Sequence, residues 1–212
     1  RESLGRFLSP VLVDQVMQRR IDLQRSGQER EVTVMFADIR GFTSLTERSR
    51  AVDVVTLLNE YFDQMVEVVF EHHGLLDKFI GDALMAVWGT PVKQQDDAAR
   101  AIAAARRMQE ALGELNETRR GRQQEDISIG IGLATGLCVS GTIGARRRME
   151  YTVIGDAVNL ASRLAGLAKA GQVLCDEQTF GAAGRPTSSN KLPAVQVKGK
   201  TKPVPVYLVA GT

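Results

Sequence analysis

An α+β fold is predicted by three features of this 212-residue sequence. Short apolar runs rich in β-branched residues alternate with long segments whose apolar residues recur at helical spacing. The order of these segments is strand, helix, strand, strand, helix, strand. Two of the strands are separated only by a Gly-Asp pair, the signature of a tight hairpin. That order is the split βαββαβ arrangement, a ferredoxin-like core, with additional α/β elements at the C-terminal end.

Each element has its own signal. Val32 to Ala37 (VTVMFA) is a buried strand, with Asp38 at its end. Ser44 and Glu47 have the spacing of a capping box, which starts a helix near Thr43 or Ser44. Val55, Leu58, Phe62, Met65, Val66 and Val69 then share one face of a long helix that ends at His72-His73-Gly74. The two histidines are helix-end residues rather than metal ligands, because no third ligand sits nearby. LLDKFI and ALMAVW flank Gly81-Asp82 and read as a hairpin. In this reading the first and second strands are neighbours. After Pro91 a second long helix runs from about Asp96 to Leu115, and the Arg-rich stretch Glu117 to Asp126 is a solvated linker. Ile127 to Leu133 and Leu137 to Ile143 read as two strands, and Tyr151 to Ile154 as a short extended segment. Ala157 to Ala168 is helical. The tail holds strands near Val173, Val195 and Val206.

Residues 1–29 are expected to form a connector helix, with Ser9 as its cap and Pro10 at its first position. Residues 30–212 then form the main domain. The start lacks both a Met and the apolar core of a secretory leader, so a longer chain with an upstream regulatory domain is expected. No apolar run approaches the ~18 residues of a membrane span. Cys138 and Cys175 read as buried, reduced thiols, which suits a cytoplasmic domain. The charge balance of 27 basic and 25 acidic residues argues against a nucleic-acid partner.

The chemistry centres on two aspartates, Asp38 at the end of the first strand and Asp82 in the hairpin turn. Alone, each suits a structural role, as a helix cap or a turn residue. If neighbouring strands bring them to one sheet edge, the pair can hold two Mg²⁺ ions roughly 3.5–4 Å apart, as in phosphoryl-transfer sites. Around Asp38 the sequence is FADIRGFT. Gly41 allows a tight turn into the helix, and the backbone N–H groups of a helix start favour an anion, so metal and phosphate can meet there. There is no GxxxxGK[ST] loop, and Gly130-x-Gly132 lacks a following helix, which argues against a dinucleotide fold.

The stretches FADIRGFTSLTE, LDKFIGDALMAVW, YTVIGDAVNLASRL and VKGKTKPVPVY, in this order and spacing, resemble the catalytic domain of class III nucleotidyl cyclases. The resemblance covers roughly residues 30–209. It implies that Asp38 and Asp82, with the main-chain carbonyl of Ile39, hold two Mg²⁺ or Mn²⁺ ions. Gly41, Phe42 and Thr43 would lie at the phosphates, and Lys198 would meet the terminal ones. Lys78 and Thr152 match the base-selecting positions. Asn159 and Arg163 match the pair that orients the ribose and neutralises charge on the α-phosphate. The 3′-oxygen would attack the α-phosphorus in line, and pyrophosphate would leave.

Base choice follows from hydrogen-bond inventory. Adenine offers an acceptor at N1 and a donor at N6. Lys78 only donates, so it suits N1, and the Thr152 hydroxyl can accept from N6. Guanine would set its N1–H against the lysine. ATP is therefore the expected substrate, and adenylate cyclase the expected activity. Many adenylyl-type relatives have Asp at position 152. Thr can donate as well as accept, which weakens discrimination against guanine. The Thr variant resembles the branch that includes bicarbonate-stimulated cyclases, which makes bicarbonate a candidate effector. Some relatives carry a basic residue where this chain has Leu137, so phosphate binding would lean on Arg40, Lys198 or Arg146-Arg147-Arg148. The arginine run also reads as a solvated charge cluster.

One chain carries both half-sites of the family, so the resemblance implies a head-to-tail homodimer with two interface sites. The alternatives are a guanylate cyclase and a catalytically silent dimerisation module. A silent module would be expected to lose an aspartate or the Asn/Arg pair, and none is lost here.

Overall fold

The computed structural model describes residues 27–145 and 148–211. The expected connector helix lies outside them, as do Arg146 and Arg147. Strand β1 (Gly27–Ile39) is followed by α1 (Phe42–Arg48), α2 (Ala51–Glu71), the β2 (Leu75–Ile80) and β3 (Ala83–Trp88) hairpin and α3 (Asp97–Gly121). Then come β4 (Ile129–Ala145), β5 (Arg148–Ile154) and α4 (Asp156–Leu167). The C-terminal part adds β6 (Val173–Asp176), α5 (Glu177–Ala182), β7 (Asn190–Val195) and β8 (Val204–Ala210). The result is the expected α+β core with C-terminal additions. Its sheet runs β2-β3-β1-β4-β6-β8-β7, and β5 pairs with β4 off that path.

Alternation along β1 divides the core. Met35, Ala37 and Ile39 pack on α2 and α3, whereas Val32, Val34 and Phe36 join a second cluster with α4 and Val153 of β5. On α2, Leu57, Tyr61, Met65 and Val68 form the buried stripe. On α3, the buried alanines 98, 101, 104 and 105 let the helix approach the sheet closely. The hairpin is locked to the end of α2 by Trp88, whose indole N–H donates to the His72 carbonyl at 3.0 Å.

Several expectations are corrected. The neighbours of β1 are β3 and β4, not β2, because the hairpin folds back and leaves β2 at the sheet edge. The two strands expected between Ile127 and Ile143 are one, since the β1–β4 ladder continues unbroken from Ile39↔Ile129 to Gly27↔Gly141. The linker expected from Glu117 begins late, because α3 continues to Gly121. Buried Asn116 anchors that last turn, donating to the Ile127 carbonyl at 2.8 Å and accepting from its N–H at 2.9 Å. The Ser44–Glu47 capping box does not form. Helix α1 begins earlier, after Gly41, with no side-chain cap.

Helix α4 lies directly against β4 at Gly132. A Cβ there would sit 2.1 Å from the Ala165 amide nitrogen and 2.4 Å from the Ala161 carbonyl oxygen. Backbone cannot yield as a flexible side chain can, so Gly132→Ala must displace the helix. The expected loss is about 1–3 kcal/mol or more, read by urea denaturation. An unchanged midpoint would contradict this packing.

Candidate functional site

Asp38 and Asp82 are brought together by strand register. Ala37 pairs with Leu84, so the next positions on β1 meet the β2–β3 turn. Gly81 adopts φ +62° in that turn, a conformation glycine takes without steric cost. The Ile39 amide donates to the Asp82 carboxylate at 3.1 Å. Burial, and then the Asp38 carboxyl within hydrogen-bond reach, push the Asp82 pKa up to about 6. The backbone thus holds the two carboxyl groups within hydrogen-bond reach of each other.

Arg40 is committed to this cluster. Its Nη2 meets the Asp38 carboxylate at 2.6 Å, and Nη1 donates to the carbonyls of Ala168 at 3.1 Å and Gly166 at 3.4 Å. Sequence reasoning offered Arg40 as a phosphate ligand. The structure instead places it between Asp38 and the end of α4. Tyr61 lies fully buried on α2, and its hydroxyl has no hydrogen-bond partner among the described residues. Burial first, then Asp38 and Asp82, raise its pKa.

The donor set fits a hard divalent cation. Two carboxylates and neighbouring main-chain oxygen suit Mg²⁺ or Mn²⁺. No group of three or more His, Cys, Asp or Glu side chains able to hold a metal occurs among the described residues. Such a site would leave positions for phosphate and water, which Mg²⁺ typically keeps. Gly41, at φ +68°, turns the chain beside Asp38, and Phe42 and Thr43 open α1 there.

Lys78 and Thr152 meet through a residue that sequence reasoning missed. The β2–β3 ladder shifts register between Leu76 and Lys78, so Asp77 is an extra residue in β2. A bulge breaks the usual alternation, and neighbours 77 and 78 serve one cluster. The Asp77 side chain is fully buried. Its two oxygens accept from the Thr152 hydroxyl at 3.0 and 2.8 Å. Lys78 Nζ lies 3.4 Å from Asp77 and 3.6 Å from Glu150. Burial raises the Asp77 pKa, against the opposing pull of Thr152 and Lys78. The signal in the sequence was an acid next to Lys78 within a short strand whose other residues are apolar.

Asn159 and Arg163 stand four residues apart on the outer face of α4, opposite buried Leu160, Ala161 and Leu164. The Arg163 guanidinium lies against the turn at Gly199, where a Cβ would meet it at 3.4 Å. Lys198 is exposed on that turn. Lys200 ties the turn to α4 through an ion pair with Asp156. On β4 and β5, Leu137, Val139, Met149 and Ile154 expose 70%, 40%, 42% and 57% of their surface. Val139 and Ile154 are ladder partners, and Leu137 lies two residues along β4 on the same face, so these three form one apolar patch. Both cysteines are buried free thiols, as expected. No described helix is long and apolar enough to cross a membrane.

This fold and these three clusters define a nucleotide cyclase catalytic domain. Residues 25–211 match the family described as the adenylate and guanylate cyclase catalytic domain, and the chain belongs to that family. Adenylate cyclase 1 of Rhizobium meliloti is 34% identical over 189 residues, which are 88% of this chain and 28% of that protein. The chain spans less than a third of the length of the curated relatives it matches. Among solved structures, the adenylyl cyclase CyaB from P. aeruginosa superposes with a TM-score of 0.84 at 35% identity, over 88% of this chain and 97% of that one. The guanylyl cyclase Cya2 superposes with a TM-score of 0.81 at 39% identity, over 87% and 94%.

The carboxylate pair sets a pH dependence. Asp82 holds its proton more tightly folded than unfolded, so its contribution to stability is present at low pH and is lost as pH rises through about 6. In chelator, Asp82→Asn should therefore raise the melting temperature at pH 8 and leave it unchanged at pH 4. Mn²⁺ should raise the wild-type melting temperature at pH 8 and have little effect on the variant. Equal effects of Mn²⁺ on both proteins would contradict the assignment.

Proposed function

We propose that this chain cyclises ATP to 3′,5′-cyclic AMP and pyrophosphate, at a site completed by a second copy of itself. The juxtaposition of Asp38 and Asp82 carries this reading. With the Ile39 carbonyl they would hold two Mg²⁺ or Mn²⁺ ions, which supply a lowered pKa at the ribose 3′-hydroxyl and charge neutralisation at the phosphates. The main chain at Gly41, Phe42 and Thr43 would cradle the triphosphate, and Lys198 would meet its terminal phosphates. Asn159 orients the ribose so that its 3′-oxygen approaches the α-phosphorus in line. Arg163 neutralises charge growing on the α-phosphate as the bond to pyrophosphate breaks. Lys78 donates to adenine N1, and Thr152 accepts from N6.

The exposed patch at Leu137, Val139 and Ile154 supports the homodimer, because apolar surface shared by two neighbouring strands suits a partner face. A guanylate cyclase is the second reading, favoured by the 39% identity to Cya2. Lys78 argues against it, since a donor there would oppose the guanine N1–H.

Incubation with ATP and Mn²⁺ should yield cyclic AMP, and Asp38→Ala should abolish it. Cyclic GMP as the preferred product from mixed ATP and GTP would favour the second reading. Asn159→Ala should lower kcat about 10²–10³-fold. Mixing it with Asp82→Ala should restore activity, because the mixed dimer regains one intact site. Absence of recovery, with subunit exchange demonstrated, would contradict a site shared between copies.

A further inference from the structure

We infer that Asp77 is a specificity-determining positioning residue, which accepts the hydrogen bond of the Thr152 hydroxyl and leaves that hydroxyl only lone pairs to offer the base. The inference rests on the reading of Lys78 and Thr152 as the base-selecting pair. It answers a question that Thr152 alone leaves open, since a threonine hydroxyl can face either a donor or an acceptor.

The geometry is specific. Thr152 is buried, and its Oγ1 lies within 3.0 and 2.8 Å of the two Asp77 oxygens. The other groups bonded to that carboxylate are also donors: the Val153 amide and the Lys78 ammonium. An ionised carboxylate facing three donors can only accept. The hydroxyl has one proton, and it donates that proton's hydrogen bond to Asp77. The oxygen that remains can accept from the exocyclic amino group of adenine. Against the guanine O6 it would set acceptor against acceptor in a desolvated pocket, an arrangement that sites of this kind reject strongly.

The β2 bulge makes this possible. In a regular strand Asp77 and Lys78 would point to opposite faces. With the extra residue both reach the same cluster, Lys78 as donor for N1 and Asp77 as the group that fixes Thr152 as acceptor for N6. The pair then reads both positions that distinguish the two purines. A threonine held in this way does the work of the aspartate found at this position in many relatives.

Asp77→Asn is the test, because an amide nitrogen can donate to Oγ1 and release the hydroxyl proton. Non-cyclisable ATP and GTP analogues would compete with a fluorescent nucleotide in Mn²⁺, and kcat and KM would be measured with both substrates. The preference for adenine over guanine should fall about tenfold or more in the variant. Thr152→Val supplies the control. In that background Asp77→Asn should change the preference less than about twofold, because Asp77 acts through the hydroxyl. A full adenine preference in folded Asp77→Asn, or an equal loss in the Thr152→Val background, would overturn the inference while leaving the cyclase reading intact. Adenine preference that falls in the variant, in a protein that forms no cyclic nucleotide, would support the inference and end the cyclase reading. Should Asp77→Asn fail to fold, the wild type still decides. A triphosphate of 6-methoxypurine riboside keeps the N1 acceptor and places an acceptor oxygen at C6. Weaker binding than that of purine riboside triphosphate supports the inference, and tighter binding overturns it.

Discussion

The β1–β3 register forces two acidic side chains into hydrogen-bond reach at the end of the sheet, where partial burial makes their repulsion costly. Neither strand can slip to relieve it. A shift of one residue would exchange Met35 and Ala37 with Val34 and Phe36 between the two core clusters and undo the packing on both faces of the sheet. The Ile39 amide holds Asp82 in place, and Arg40 holds Asp38. Folding of the hydrophobic core thus maintains an arrangement that electrostatics alone would break. A divalent cation would resolve the conflict, and such a cation would also serve phosphoryl-transfer chemistry.

The other clusters depend on equally local devices. Gly132 lets α4 lie on β4 without a side chain between them, which fixes the height of Asn159 and Arg163 above the sheet. Arg40 joins the far end of the same helix to Asp38. The Lys200–Asp156 ion pair brings the turn bearing Lys198 to the helix start. Exposed pairs of this kind contribute little to stability, so their value lies in orientation. Around Lys78 and Thr152, one inserted residue in β2 brings the Asp77 carboxylate to the Thr152 hydroxyl.

Much of this was legible in the sequence because it rests on periodicity. The Gly81-Asp82 turn and the buried run at Val32 to Ala37 are local patterns, and each is present where expected, whereas the stripe on α2 is rotated: Met65 and Val69 are buried as expected, but Val55 is exposed and Leu57, Tyr61 and Val68 complete the buried face. The order of neighbours in the sheet was not, since pairing of β1 with β3 instead of β2 is a long-range choice made by the hairpin. The length of β4 was hidden for another reason. Its residues Ala134 to Gly136 look like a turn, yet their backbone groups are paired with β1 throughout. The last turn of α3 looked solvated because it is polar, but Asn116 and Arg119 are buried with their hydrogen bonds to Ile127 and Glu125 made. Asp77 escaped notice because a bulge breaks the alternation from which strand faces are read. Asp38 and Asp82 were singled out by their places at a strand end and in a hairpin turn, and Lys78 and Thr152 by resemblance; it took register to explain why the first two meet.

The central claim is that cations sit between Asp38 and Asp82 of one copy while the base rests against Lys78 and Thr152 of the other. A crystal structure with Mn²⁺ and a non-cyclisable ATP analogue tests both halves at once. The account predicts anomalous density between the two carboxylates and an adenine held across the two-fold interface by the partner's lysine and threonine positions. Carboxylates turned apart with no ion between them, or a nucleotide bound wholly within one copy, would contradict it.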